Sequence, residues 1–386
     1  MACGPHRSAD VKRLLVVSNG HGEDLEAAQI LGALPPDGVA FSAFPLVGLG
    51  SAYPAGVTLL DPRRDFPSAG FGLRAGWTPL SADLASGWLG FWRRQRQTLR
   101  AQRGRVDLVI AAGDVYCLAM ASVTGGPTVF IELPRSEHIA PHTPLEMWII
   151  RRYACQVFTR DDVTADALRR RGLPAACLGF TLMDTLALSG EGFGLTEDRP
   201  VITLLAGSKP PAFENLILLL RASAAAAEQV PGLAVLVAWA PGLSLARLRE
   251  TVAAAGGVWL DDSHFRFESV DAVVTRDHFA DALQRATVVL GMAGAAHEQA
   301  AGLGKPVVAF PGTGPQFTHR FLQEQRRLLG DALIAASTWQ EAAQAAGALL
   351  RDPIERQRRG RIGRERQGEP GASAAIARAV LDRLSA

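Results

Sequence analysis

The 386 residues carry 40 basic and 38 acidic side chains, a formal net charge of +2, and are 48% apolar and 20% charged. That length suits two domains, and that apolar content fills sizeable cores, which excludes a disordered chain. The near-neutral charge argues against a dedicated nucleic-acid binder. No run of about 18 uncharged apolar residues occurs, so no segment reads as membrane-spanning and any membrane contact must be peripheral. The four cysteines, Cys3, Cys117, Cys155 and Cys177, form no CxxC pair and have no zinc-type spacing. They read as reduced thiols of a cytosolic protein. Met1 to Lys12 holds no apolar stretch, so neither a signal peptide nor a lipobox around Cys3 is expected.

The chain opens with a buried strand, Leu14 to Val17, then the loop Ser18-Asn19-Gly20-His21-Gly22. A helix follows from Glu23 to Leu34, stopped by Pro35-Pro36. Further apolar strands are expected at Val106 to Ala111, Thr128 to Ile131 and Gln156 to Thr159. Residues 184–200 read as a hinge, Gly-rich and then polar. Beyond it a second series begins, with strands at Val201 to Leu205, Leu233 to Ala238, Thr287 to Leu290 and Pro306 to Phe310, an edge strand at Val270 to Thr275, and a helix near 213–228. Short apolar strands alternating with helices predict an α/β fold of two doubly wound, parallel-sheet halves. The stretch Arg351 to Arg366 reads as a solvated helix. Ala372 to Leu384 reads as an amphipathic helix that packs back on the first half.

The glycine-rich loops of the two halves differ. Gly291-Met292-Ala293-Gly294 leads into a helix near Ala295 whose first turn holds no acid before Glu298. Free N–H groups and the helix dipole suit a diphosphate there, and Glu298 suits the ribose hydroxyls. The alternative is that these glycines only let helix and strand pack closely. Gly207-Ser208-Lys209 also follows a strand, which places Ser208 and Lys209 at a ligand crevice, although the spacing is not that of a P-loop. Lys209 reads either as neutralising a leaving diphosphate or as a solvated lysine. After the last strand, Gln316 in Pro311–Gln316 reads as a hydrogen-bond partner of a sugar, or as part of a plain turn.

In the first half, Gly20-His21-Gly22 runs into Glu23-Asp24, carboxylates that would repel a phosphate. This loop reads as an acceptor site with His21 and Glu23 in acid–base roles, or as a simple helix cap. Asp114, after Gly113, reads either as a general base or as a helix cap. The segment Phe71 to Arg105 gathers Trp77, Trp88, Phe91 and Trp92 with Arg93, Arg94, Arg96, Arg100, Arg103 and Arg105. Aromatics beside arginines suit the interface of an anionic bilayer, or a partly buried helix with a solvated face. No acidic pair lies near the donor loops; the nearest, Asp261-Asp262, reads as a surface turn.

Four segments together, Ser18 to Asp24, Gly179 to Asp184, Ala206 to Lys209 and Gly291 to Glu298, resemble the lipid-A-disaccharide synthase-related proteins. More distantly they resemble that synthase itself and the lipid II glycosyltransferase. The resemblance implies the glycosyltransferase-B architecture, with two Rossmann-like domains flanking a cleft. Residues 1–188 would form the acceptor domain, 196–368 the nucleotide-sugar donor domain, and 369–386 a helix returning to the first. It implies a cytoplasmic enzyme on the inner face of the membrane that needs no metal or cofactor. That enzyme would invert configuration while moving a sugar from a UDP-sugar to a lipid-like acceptor. Ser208 and Lys209 fall at the donor phosphates and Glu298 at the ribose. Asp114 falls at the base, and His21 matches a loop histidine of the lipid II enzyme. Gly207, Gly291, Met292, Ala293, Gly294 and Gln316 complete the donor set, and Gly20, Gly22, Trp88, Phe91, Trp92, Arg93 and Arg94 the acceptor and membrane set. A non-hydrolysing UDP-sugar 2-epimerase shares this fold and is the first alternative. A non-catalytic sugar-nucleotide or lipid binder is the second.

Overall fold

The computed structural model describes residues 11–64, 88–314 and 317–385. It divides into two compact units, Met1–Thr185 with Pro370–Ala386, and Leu186–Glu369. Among the described residues, the first unit holds a seven-stranded sheet, all parallel. Its strands are β1 (Lys12–Ser18), β2 (Val39–Pro45), β3 (Thr58–Leu59), β4 (Leu108–Gly113), β5 (Thr128–Glu132), β6 (Gln156–Thr159) and β7 (Ala175–Cys177). They lie in the order β3-β2-β1-β4-β5-β6-β7. Both faces are covered, which explains the unbroken Leu14-Leu15-Val16-Val17 run. Leu14 and Val16 enter one core with Ile30 and Leu31, while Leu15 and Val17 enter the other with Leu118 and Ile150.

The C-terminal helix Ala372–Ser385 contributes Ile376, Ala377, Val380 and Leu384 to the first of these cores. Its start is held by Asp184, whose carboxylate accepts from the N–H groups of Gly371 and of Ser373 (2.6 Å for the latter). The first helix runs His21–Gly32, two residues earlier than the acidic pair suggested, with Gly20 at the N-cap.

The second unit holds β8 (Val201–Leu205), β9 (Ala234–Ala238), β10 (Val258–Trp259), β11 (His264–Phe267), β12 (Val270–Thr275), β13 (Val288–Gly291), β14 (Val307–Ala309) and β15 (Leu333–Ala335). Their order is β10-β11-β12-β9-β8-β13-β14-β15. The strand Val270–Thr275 is not an edge. It pairs with β9 in parallel on one side and with β11 antiparallel on the other, so the short β10–β11 pair forms that margin. This α/β architecture of two parallel-dominated sheets is the glycosyltransferase-B type.

The arginine-rich stretch is not a free, solvated helix. Asp352-Pro353 divides Trp339–Arg351 from Pro353–Gln367. In the second of these, Gly360 and Gly363 are buried against the carbonyls of Gly304 and Ala301. A Cβ on Gly363 would run into the Ala301 carbonyl oxygen. Gly363→Ala is therefore expected to cost roughly 1–3 kcal/mol in a thermal or urea melt, although alanine is the better helix former. Among the described residues, no helix is long and apolar enough to cross a membrane.

Candidate functional site

In a doubly wound sheet, ligands bind beyond the carboxyl ends of the strands, where the strand order reverses. The second sheet reverses between β8 and β13, and a cavity of about 550 Å³ opens at that point. Gly207 and Ser208 line it after β8, Met292 to Ala296 after β13, Trp239 after β9 and Arg276 after β12. The helix Ala295–Gly302 starts at this wall with Gly294 as N-cap and no capping side chain, leaving its end open to an anion. Phe279, Phe317 and Phe321 supply apolar walls.

Two donors on lining residues lack partners. Among the described residues, Arg276 Nε and Trp239 Nε1 are buried with no hydrogen-bond acceptor, although the Arg276 guanidinium also donates to the Pro241 carbonyl. Buried unpaired donors are costly and call for an acceptor. Neither residue was singled out from the sequence. A basic residue directly after a strand was the available signal for Arg276. Trp239 needed the knowledge that β9 lies beside β8.

The other donor candidates are less close. Lys209 is exposed and does not line the cavity. Glu298 is buried, accepts from Gln325 Nε2 at 3.3 Å, and lies outside the lining. Gln316 falls outside the described residues. Gly291 ends β13 directly above His297: a Cβ there would come within 2.5 Å of Nε2. Buried, and without a partner at either ring nitrogen among the described residues, His297 is pushed down to a pKa of about 3.

The first sheet reverses between β1 and β4, and its titratable groups gather there. Asp114 caps the helix Val115–Ala121, accepting from Cys117 N at 3.0 Å, and also accepts from Asn19 Nδ2 at 3.0 Å. The cap and the perturbed carboxyl thus coexist in one residue. Burial lifts Asp114 to about 6, against the cap hydrogen bond, and the like charge of Glu23 adds to the rise. Glu23 is itself raised by burial, and its carboxylate folds back over Gly20, where a Cβ would meet Oε2 at 2.5 Å.

Behind it, Tyr53 donates to Ser18 Oγ at 2.7 Å, and Ser18 donates to Asp24 Oδ1 at 2.5 Å. Burial takes Asp24 to about 7, opposed by the Ser18 hydrogen bond and assisted by Glu23. His21 is exposed, its ring lying over Gly48, whose φ of 90° and missing Cβ make the space. Gly22 is exposed, and among the described residues a Cβ there would meet nothing within 4 Å. A second cluster, unseen from the sequence, ends β5: His142 bridges Glu132 (2.9 Å) and Glu137 (2.7 Å). Glu132 pairs in register with Gly113, beside Asp114. Burial raises Glu132. The two carboxylates raise His142 despite its own burial.

Of the aromatic and basic segment, Trp77 lies outside the described residues. Trp88 opens the helix Trp88–Ala101. Phe91 is only 4% exposed, so it is a core residue and not a membrane-facing one. Trp92 is half-buried with Arg96 stacked 5.0 Å from its ring, while Arg93 and Arg94 are exposed. Asp261 accepts from the N–H groups of Ser263 and His264, which places Asp261-Asp262 in a turn.

No protein-family model matches the sequence, and no curated protein matches it. Solved structures do match. The chain is similar to S. aureus MnaA, solved with UDP, at 14% identity and a TM-score of 0.62, over 97% of each chain. It is similar to the UDP-GlcNAc 2-epimerase of Neisseria meningitidis, solved with UDP-GlcNAc, at 13% identity and 0.57, over 96% of this chain and 100% of that one. It is also similar to CalG4, the calicheamicin glycosyltransferase, at 17% identity and 0.59, over 97% and 98%. At these identities the likeness establishes the fold.

Proposed function

We propose that this chain is a glycosyltransferase that takes a sugar from a UDP-sugar and passes it, with inversion, to a lipid-like acceptor at the membrane surface. The observation that carries the donor half is the cavity at the β8–β13 reversal, where an uncapped helix start meets Arg276 and Trp239. Apolar walls suit a nucleoside, and the helix start and guanidinium suit its diphosphate. The structures solved with UDP and UDP-GlcNAc on the same fold support this reading.

In the proposed reaction Asp114 takes the proton of an acceptor hydroxyl. That oxygen bonds to the anomeric carbon, and the bond from the anomeric carbon to the diphosphate oxygen breaks with its electron pair leaving on UDP. Arg276 and the amides at Met292–Ala296 hold the charge that develops on the diphosphate. No metal is called on. The lipid-like acceptor rests on the resemblance of the Ser18–Asp24 segment and on the arginine-rich helix Trp88–Ala101.

A second reading, a UDP-sugar 2-epimerase, is favoured by the epimerase among the similar structures and by the several buried carboxyls of the first unit. UDP-GlcNAc alone separates the two. An epimerase forms a second UDP-sugar without any acceptor, whereas a transferase releases UDP in step with glycosylation of an added lipid.

The donor site is tested by titration with UDP, UDP-GlcNAc, UDP-glucose and UDP-galactose. At 100 times its Kd a ligand stabilises by about 2.7 kcal/mol, seen as a rise in melting temperature. Arg276→Ala is expected to weaken UDP binding by roughly tenfold or more, the cost of a lost charge-assisted hydrogen bond. No shift with any uridine nucleotide overturns the assignment.

A further inference from the structure

We propose a second anion site in the first unit, at the edge of the sheet opposite Asp114, built to hold a phosphate or diphosphate group. A cavity of about 680 Å³ opens there, beside the Gly125-Gly126 turn that leads into β5. Asp114 follows the carboxyl end of β4, whereas this cavity opens beside the turn at the amino end of β5, and its lining includes neither Asp114 nor Glu23 nor Asp24. It is therefore neither the nucleotide cavity of the second unit nor the carboxyl cluster of the first.

Four guanidinium groups line it: Arg96, Arg100, Arg103 and Arg152. No acidic residue lines it, and among the described residues none of the four forms an ion pair. Elsewhere arginines of this chain do find carboxylates, as Arg135 finds Glu146, Arg171 finds Glu137 and Arg358 finds Glu355. Like charges gathered without a counter-charge repel one another, and an anion is what relieves the repulsion.

Three of the four side chains are held in place. Arg96 stacks 5.0 Å from the Trp92 ring, Arg152 stacks 5.3 Å from Tyr153, and Arg103 Nε donates to the Val123 carbonyl at 3.0 Å. Planar donors fixed before binding favour the bidentate capture of phosphate oxygens. On the same helix as Arg152, the 56% exposed Trp148 meets Tyr153 edge-on at 6.2 Å, leaving an apolar surface beside the charged one. A phosphate attached to an apolar body, such as a lipid headgroup, and a free diphosphate both satisfy this chemistry.

The experiment uses the full chain carrying Arg276→Ala, so that the nucleotide cavity does not compete. Inorganic pyrophosphate is titrated by calorimetry, and vesicles of phosphatidylcholine with and without phosphatidic acid are sedimented with the protein. The double substitution Arg100→Glu with Arg152→Glu is compared with Arg151→Glu, an exposed arginine of the helix that carries Arg152 and outside the cavity lining. The expected result is binding to at least one of the two probes that falls at least tenfold in the double variant and stays within twofold in Arg151→Glu, with melting temperatures unchanged. Loss with pyrophosphate alone assigns a soluble diphosphate, and loss with phosphatidic acid vesicles alone a lipid headgroup. Equal losses in both variants, or binding to neither probe, overturn the proposal. UDP binding by the double variant without Arg276→Ala reads the donor cavity separately, so the two assignments fail independently.

Discussion

Replacing Asp114 with Asn is expected to lower kcat by roughly 10²- to 10⁴-fold, the contribution of a positioned general base, with little change in UDP affinity or melting temperature. The fold is spared because asparagine caps a helix as well as aspartate does. Its carbonyl oxygen can still accept from Cys117 N and Asn19 Nδ2, as Asp114 does now. What is lost is the titration. With Asp114 raised to about 6 by burial, the base is ionised above that pH and protonated below it. The wild-type rate should then rise tenfold per pH unit up to about 6 and level off beyond, whether turnover is read as UDP release or as formation of a second UDP-sugar. In Asp114→Asn this acid limb disappears. A limb that persists in the variant moves the role to Glu23 or His21, and unchanged activity removes Asp114 from the chemistry.

How much of this was legible from residue order follows from which interactions are local. The Leu14–Val17 run and the Gly-rich loops are local signals, so the parallel sheets and the strand ends at Gly207-Ser208 and Met292–Gly294 could be read directly. That these two loops line one cavity depends only on β8 and β13 being neighbours, which the doubly wound plan implies. Trp239 depends on β9 lying beside β8 and Arg276 on β12 lying beside β9, beyond which the short antiparallel β10–β11 pair leaves little periodicity.

The helix Pro144–Tyr153 carries its own start signal in the sequence. Thr143-Pro144-Leu145-Glu146 is a capping box with Pro at the first helical position. Phe91 carries a misleading signal. An aromatic among arginines looks like a membrane anchor, but Phe91 is buried, as is Leu99 later in the same helix. The proton affinities of Asp24, Asp114 and Glu132 could not be read at all, because they come from burial that only the assembled sheet provides.

Asp24→Asn is expected to stabilise the protein at alkaline pH and to flatten its stability profile, an unusual outcome for the loss of a buried charge. Asp24 is 1% exposed, and its carboxyl titrates near 7 in the folded chain against 3.8 unfolded. Between those values the folded state holds a proton that the unfolded state has released. Stability contributed by this group is therefore complete below pH 4 and declines as pH rises toward 7, at about 1.4 kcal/mol per unit. Between pH 5 and pH 8 the wild type should lose roughly 2–3 kcal/mol more than Asp24→Asn, measured as urea midpoints at each pH with a shared m-value. Asp114 and Glu132 titrate in both proteins, so the difference isolates Asp24. Parallel profiles would mean that Asp24 ionises at its ordinary value, with Ser18 and the helix start together offsetting its burial. Retaining a costly carboxylate there has a physical use: through Ser18 it aligns the Tyr53 hydroxyl. A variant that gains stability at pH 8 while losing turnover would show that the first unit gives up stability in order to hold Asp24 and Asp114, poised near neutrality, where its strand order reverses.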